Sequence, residues 1–181
     1  LTTFGSVSAS IQKNKALFAF RQVQPISAVI ANGVFELLVK VAVVLVLILI
    51  VFIMKLESRL DNPLLILYCM FQVWLLSLSL GLIFAIGKAY VKEVSNIQQL
   101  FVRPLFFISA VFFSLQDIPK DYWMYLNWNP ILHAIELSRE GAYNTFGAEG
   151  VSLTYLSIST LTLTFFALAL YHVTWKQVVS R

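Results

Sequence analysis

The sequence predicts an all-α membrane protein, a polytopic bundle of transmembrane helices. Of its 181 residues, 59% are hydrophobic and 12% are charged, whereas soluble domains average about 45–50% apolar and about 25% charged residues. Four segments are mostly apolar over roughly 20 residues, which is the length that a helix needs to cross a hydrocarbon core of about 30 Å. Most charged residues fall between these segments, so lipid rather than water is the expected solvent.

The region before the first predicted span contains two parts. Leu1 is not a methionine, and the residues after it lack the basic stretch and apolar core of a signal peptide. We therefore interpret residues 1–11 as a cut end of the sequence. Residues 12–24 mix apolar and basic side chains, a pattern typical of a helix that lies along a membrane surface.

Ionisable residues interrupt two of the four predicted spans, which cover residues 28–54, 62–87, 94–116 and 150–171. Such residues are costly to bury in lipid and are candidates for a transport path. Glu36 and Lys40 have the order and spacing of a helical ion pair, so they either neutralise each other near the membrane surface or line the path. Arg103 has no acid within four residues, so its partner is expected on another helix, in a lipid phosphate or in an anionic substrate.

The basic residues of the loops predict the orientation. If residues 1–27, 88–93 and 172–181 are cytoplasmic, that side carries seven Lys and Arg residues against four in the opposite loops. The positive-inside rule then places both ends of the chain in the cytoplasm, with 172–181 as a cytoplasmic tail. The basic residues form no stripe that would suit a nucleic acid.

The longest predicted loop, residues 117–149, is rich in aromatic side chains and suits the headgroup zone of the bilayer. Pro119 and Pro130 fit the first turn of a helix, so short helices are predicted near residues 120–128 and 131–142. Gly141 is expected to help end the second of these.

One motif weakly suggests nucleotide binding. Residues 81–88 resemble a phosphate-binding loop, but five residues separate the glycines and no Ser or Thr follows the lysine. We expect instead that Ser77, Gly81 and Ala85 form a small-residue face for close helix packing.

A possible metal site is equally weak. His133, Glu136 and Glu140 share one helix face without a fourth ligand, and Arg139 offers the carboxylates a simpler partner. No nucleophile, base and orienting group stand together, so we expect neither catalysis nor a metal or cofactor in this chain. The hydroxyls of residues 150–171 either line a polar path or bond back to their own helix.

Two stretches of the sequence resemble a known family. Residues 14–25 read Asn-Lys-Ala-Leu-Phe-Ala-Phe-Arg-Gln-Val-Gln-Pro. The second stretch contains Arg103-Pro104, Ile118-Pro119, Tyr122-Trp123, Trp128-Asn129-Pro130, His133 and Glu136-Leu137-Ser138-Arg139-Glu140. Together they resemble the permease of type-2 ABC exporters for capsular polysaccharide, inner-membrane proteins that pair with a separate ATPase. Permeases for O-antigen and teichoic acid share this architecture.

The resemblance implies six spans in the bacterial inner membrane, of which this chain would keep the last four, with residues 1–11 as the end of a truncated span. It implies two permease copies and two ATP-binding-cassette ATPase copies, with ATP and magnesium bound by the ATPase. Periplasmic and outer-membrane polysaccharide export proteins would be further partners, and a lipid-linked acidic polysaccharide would be the cargo. Family members commonly carry a basic residue where Asn32 stands. The alternatives are an exporter of another cargo, such as O-antigen, teichoic acid or a drug, and a membrane scaffold or channel subunit.

The resemblance also implies roles for particular residues. Residues 12–24 would be the coupling helix that docks on the ATPase, through Asn14, Lys15, Leu17, Phe18, Phe20 and Arg21. Residues 117–149 would form periplasmic gate helices, with structural roles for Pro119, Asn129, Pro130, His133, Glu136 and Arg139. On the substrate path, Tyr122, Trp123 and Trp128 would stack on sugar rings, and Arg103 would meet acidic groups.

Overall fold

The structure, a computed structural model, describes residues 1–19, 23–55, 60–91 and 93–180. These residues form helices and turns without a β-strand, which confirms the all-α class. The helices are α1 (Thr2–Lys13), α2 (Pro25–Ile53), α3 (Pro63–Tyr90), α4 (Val94–Ile108), α5 (Trp123–Leu126), α6 (Pro130–Ala142) and α7 (Leu153–Ser180).

Three of the described helices are long and apolar enough to cross a membrane: α2, α3 and residues Leu153–Gln177 of α7. The 28 residues of α3 extend about 42 Å, more than the roughly 30 Å of the hydrocarbon core. Pro25 starts α2, where its missing N–H leaves no hydrogen bond unmade. Helix α7 continues past Tyr171 to Ser180. Residues 172–180 of the predicted cytoplasmic tail therefore belong to this helix.

The prediction of a continuous helix over residues 94–116 is wrong. Helix α4 has 15 residues and ends at Ile108, and its length of about 22 Å is short for a membrane span. Pro104 lies inside the helix and weakens it, because proline lacks the N–H of a helical hydrogen bond. Ala110 then adopts a left-handed φ of 57°, which a helix cannot continue through.

A single helix over residues 12–24 is also a wrong prediction. Helix α1 ends at Lys13, and the Asn14 side chain donates 2.8 Å to the Ser10 carbonyl at this end. A short 3₁₀ helix covers Lys15–Ala19. Pro25 holds Gln24 in an extended conformation, as expected for a residue before proline, so a helix cannot run through this position into α2.

The chain divides into two compact units, each with its own apolar packing. The first unit contains Leu1–Arg59, Ser77–Lys92 and Ala167–Arg181, and the second contains Leu60–Leu76 and Glu93–Phe166. The core of the first unit includes Val7, Ile11, Phe18, Val29, Leu82, Ala85, Ile86, Ala167 and Tyr171. The second unit has one cluster of Cys69, Leu76, Ala134, Leu137 and Leu156, and another of Ala110, Leu115 and Leu132.

Gly81 permits close packing of α1 on α3 within the first unit. A Cβ atom at Gly81 would lie 2.5 Å from Cγ1 of Val7, which is too close for two carbon atoms. Phe4 and Phe84 are each three residues from this contact along their helices, and their rings meet edge to face with centroids 5.1 Å apart. The small-residue packing predicted for Gly81 is therefore present, and the stretch 81–88 is part of a helix and not a phosphate-binding loop.

Candidate functional site

A buried charged pair lies on α6 in the second unit. Nη1 of Arg139 is 2.8 Å from Oε1 of Glu136, whose side chain is 1% exposed. The three-residue spacing places both on one helix face. The Glu136 carboxylate also accepts hydrogen bonds from the Leu115 N–H at 3.0 Å and the Ser114 hydroxyl at 3.3 Å. Both carboxylate oxygens thus have partners, as a buried charge requires.

Arg139 also binds the backbone that follows α4. Its guanidinium donates to the carbonyls of Ala110 at 2.8 Å, Phe113 at 2.9 Å and Val111 at 3.3 Å. A guanidinium has five donors in a fixed planar arrangement, so one side chain can hold several carbonyls at once. Together Glu136 and Arg139 fasten residues 110–115 to α6. We call this arrangement the loop clamp.

The loop clamp engages Glu136, one of the three residues considered as a metal site. Glu136 pairs with Arg139, as their spacing favours. Among the described residues, no three His, Cys, Asp or Glu side chains lie together as a metal-binding group.

Asn129 and His133 fix the beginning of α6. The Asn129 side chain accepts from the Ile131 N–H at 3.0 Å and donates to Ser109 Oγ at 3.1 Å, which makes it the N-cap before Pro130. Nδ1 of His133 accepts from the Ser152 N–H at 2.9 Å. Its Nε2 therefore carries the proton and donates to the Asn127 carbonyl at 2.8 Å.

The environment of His133 favours its neutral form. Burial lowers the pKa of His133, while the hydrogen bond to the Asn127 carbonyl acts in the opposite direction as the smaller effect. A second proton would reside on Nδ1 and face the Ser152 N–H. The ring thus joins α6 to the start of α7 only while it is neutral.

The three aromatic residues expected on a substrate path differ in exposure. Tyr122 and Trp128 are 59% and 58% exposed. Trp123 is half-buried, packs against the cluster that contains Leu115, and donates from Nε1 to the Ile118 carbonyl at 2.9 Å. Tyr122 and Trp128 thus present most of their surface to the surroundings, whereas Trp123 also supports the fold.

A cleft of about 660 Å³ lies beside Trp123. We call it the Trp123 cleft. Across it, Nζ of Lys120 is 2.9 Å from Oε2 of Glu149 and 5.4 Å from the centre of the Trp123 ring. The residues that line it are Gln116, Asp117, Ile118, Pro119, Lys120, Trp123, Thr145, Phe146, Gly147 and Glu149.

The predicted ion pair on α2 does not form. Within the described part of the chain, the ion pairs closer than 4.0 Å are Lys120–Glu149 and Arg139–Glu136. Glu36 is half-buried and Lys40 is exposed. A pair of this spacing contributes only about 0.3–0.5 kcal/mol, which the side-chain entropy of holding it can offset. Arg103 is exposed, and no ion pair or hydrogen bond joins it to another described residue.

Comparison with known proteins identifies the family. A profile described as "ABC-2 type transporter" matches residues 1–143. Two proteins of Escherichia coli, each named "Polysialic acid transport protein KpsM", are 40% identical to the chain over 173 residues. The match covers 93% of this chain and 67% of each relative. The chain belongs to the ABC-2 type transporter family. Three helices long and apolar enough to cross a membrane fit a multi-pass membrane protein of this transporter family.

In this ABC-2 chain, the residues expected to contact an ATPase divide into buried and exposed groups. Phe18 is 8% exposed and lies in the core of the first unit, so it is not available as a docking side chain. Leu17 is 49% exposed and Lys15 is exposed. Phe20 and Arg21 lie outside the described residues.

Sequence reasoning placed Lys88 in a loop, but it belongs to α3. Its side chain is buried, and Nζ donates to Ser8 Oγ at 3.0 Å. The Lys88 carbonyl accepts from Nε2 of Gln12 at 3.0 Å. The apolar residues Ala89 and Tyr90 after Lys88 are the signal that could have extended the predicted helix.

Several hydroxyls of α7 bond back to their own helix. Ser157, Thr160, Thr162 and Thr164 each donate to the carbonyl four residues earlier, at 2.7–2.8 Å. Of the two alternatives left open by the sequence, back-bonding is therefore the one present at these four positions.

Proposed function

We propose that the chain is the membrane subunit of an ATP-driven exporter that moves lipid-linked capsular polysaccharide across the inner membrane. The observation that carries the proposal is the 40% identity, over 93% of this chain, to proteins named for polysialic acid transport. The apolar helices α2, α3 and α7 supply a membrane-spanning scaffold. Both ends of the chain would lie in the cytoplasm, in agreement with the distribution of basic residues.

ATP would be hydrolysed by an ATP-binding-cassette partner. Membership of the ABC-2 family supports such a partner. The stretch 81–88, which superficially resembles a phosphate-binding loop, has Gly81 packed against Val7 and offers no backbone cradle for a nucleotide. ATP and magnesium would therefore bind to the ATPase.

The ATPase would act on the turn at Lys15–Ala19. Lys15 and Leu17 are exposed there, while Phe18 packs in a core that includes Val29 of α2, Leu82 of α3 and Tyr171 of α7. A force applied to the exposed side of this turn would thus reach three long helices through one buried ring, because closely packed interiors transmit displacement.

The permease would work as a homodimer, and its gate would lie in residues 117–149. No residue of the most apolar stretch of α2 is buried within the chain, so this surface is available to lipid or to a second copy. The loop clamp gives α6 and residues 110–115 one defined geometry. Tyr122, Trp128 and Arg103 would contact the cargo from exposed positions, and periplasmic and outer-membrane export proteins would receive it.

Deletion of the gene that encodes this chain tests this function. We expect surface polysaccharide to disappear while its lipid-linked precursor accumulates in the cytoplasm, and the intact gene to reverse both effects. Loss of surface polysaccharide without accumulation of precursor would indicate a role in synthesis and contradict the proposal. Accumulation of O-antigen or teichoic acid precursor instead would assign another cargo.

A further inference from the structure

The Trp123 cleft has the size of a small-molecule site. Its volume of about 660 Å³ lies within the range of about 300–1,000 Å³ that is usual for such sites. All of its lining residues fall within 116–149, so one continuous segment of the second unit builds the site. Its geometry does not depend on the position of the first unit.

The walls of the Trp123 cleft offer hydrogen-bond acceptors beside an apolar surface. Asp117 and Glu149 contribute carboxylates, and Trp123 contributes an aromatic ring. The Gln116 amide already donates to the carbonyls of Phe146 and Gly147, so its donors are occupied. The two carboxylates and the single ammonium of Lys120 give the lining a formal charge of −1.

Two of these groups differ in how firmly they are held. Oδ2 of Asp117 accepts from the Ser114 N–H at 2.9 Å, which fixes the carboxylate within a capping box. The Lys120 and Glu149 side chains are 76% and 67% exposed, so their ion pair is weak. The ammonium is also exposed where it lies over the Trp123 ring, and a ligand can displace it.

We propose that the Trp123 cleft binds an uncharged saccharide unit. A sugar ring has an apolar face of C–H groups, which can rest on Trp123 once Lys120 moves aside, and hydroxyls, which can donate to Glu149 and Asp117. An acidic sugar fits less well because the lining already carries a net negative charge. This inference rests on the proposed export function and adds that the cargo contains uncharged units.

The test uses full-length permease in lipid nanodiscs and saturation-transfer NMR. The probes are uncharged oligosaccharides of glucose, galactose and N-acetylglucosamine, together with a sialic acid oligomer of the same length. We expect at least one uncharged probe to bind saturably and the sialic acid oligomer to bind more weakly. Glu149→Gln should lower the affinity for the uncharged probe about fivefold, because the hydrogen bond loses its charged acceptor.

Two variants keep the test interpretable. Glu149→Gln is the test variant because it replaces an exposed side chain and should leave the fold unchanged. Trp123→Phe is avoided because it would also disturb packing. Tyr143→Phe changes an exposed aromatic side chain outside the cleft lining and should leave saccharide binding unchanged.

Three results would overturn the inference: no saturable binding of any uncharged probe, an equal loss of affinity in Tyr143→Phe, or binding of the sialic acid oligomer at least as tight as that of the uncharged probes. Export is measured separately by restoration of surface polysaccharide in the deletion strain. If wild-type permease restores export but binds no uncharged probe, only the inference fails. If it binds the probe but does not restore export, the proposed function fails.

Discussion

The first unit joins its helices mostly through small and apolar side chains, beside the buried hydrogen bond from Lys88 to Ser8, whereas the second unit fixes the loop after α4 through buried charges and amides. In the first, Gly81 meets Val7 and Phe4 meets Phe84. In the second, Arg139 and Glu136 hold the backbone between α4 and α5. Apolar contacts depend on shape alone, but a hydrogen-bonded network also requires the direction of each donor and acceptor.

This difference suits two different tasks in a transporter. Helices that pack through small residues can approach closely in lipid, where backbone contact and dispersion drive association. A loop outside the spans cannot rely on such packing, and its backbone groups need fixed partners to keep one conformation. The comparison therefore predicts that a single polar substitution affects the second unit more than a single methyl group affects the first.

The largest effect is expected from Arg139→Met. The substitution leaves the Glu136 carboxylate buried without its cation, which typically costs about 3–5 kcal/mol. We expect a large loss of resistance to unfolding by SDS, measured by circular dichroism in mixed micelles. Lys120→Met, which breaks an exposed ion pair, is the matched control and should cost at most about 1 kcal/mol. Equal losses in the two variants would contradict the importance of the loop clamp.

A smaller effect is expected from Gly81→Ala. The added methyl group would lie 2.5 Å from Val7 Cγ1, and overpacking of this kind costs about 1–3 kcal/mol. Gly5→Ala is the control, because a Cβ atom there would have no neighbour within 4 Å. When it is combined with Gly81→Ala, the substitution Val7→Ala should restore part of the lost stability. A failure to do so would mean that the clash is not with Val7.

The next prediction concerns pH. Burial lowers the pKa of His133 below the value of about 6.5 expected in the unfolded chain. As pH falls, the unfolded state therefore binds the proton first. The contribution of His133 to the stability of the fold is fully present above about pH 6.5 and is lost as pH falls from there towards the pKa of His133 in the folded state. We expect stability to fall more steeply from pH 7.5 to 5.5 in wild type than in His133→Gln. Parallel pH profiles would contradict a neutral His133 ring that is hydrogen-bonded through both of its nitrogens.

The smallest effect on stability is expected from Leu17→Asp. Leu17 is about half exposed, so the fold should change little, but co-purification of the ATPase should decrease. Phe18→Asp places a charge in the core of the first unit and should reduce folded protein itself. If Leu17→Asp retains the ATPase at the wild-type level, this turn is not the docking surface.

The sequence predicts the long apolar helices well because their signal is local. A run of some 20 apolar residues has few structural solutions in lipid, and α2 and α3 begin and end within three residues of the predicted bounds. Helix α6 is predicted almost to the residue because Pro130 marks its first turn.

The errors occur where distant residues decide the local structure. Pro104 is a local signal that α4 is weakened, but the conformation after Ile108 is also held by Arg139, whose guanidinium donates to the Ala110 carbonyl some 30 residues earlier. The Trp123 cleft likewise depends on a contact between residues that are distant in sequence, because Glu149 lies beside Lys120. The family resemblance implied a docking role for Phe18, but Phe18 lies in a core built with residues of α1, α2, α3 and α7.

ATP-dependent transport by the assembled exporter tests the central claim most directly. Inverted inner-membrane vesicles are prepared from cells with and without the gene that encodes this chain, and the uptake of labelled lipid-linked polysaccharide is measured with and without ATP. The proposed function predicts uptake only when the permease and ATP are both present. Equal uptake in vesicles that lack the permease, or in vesicles without ATP, would contradict it.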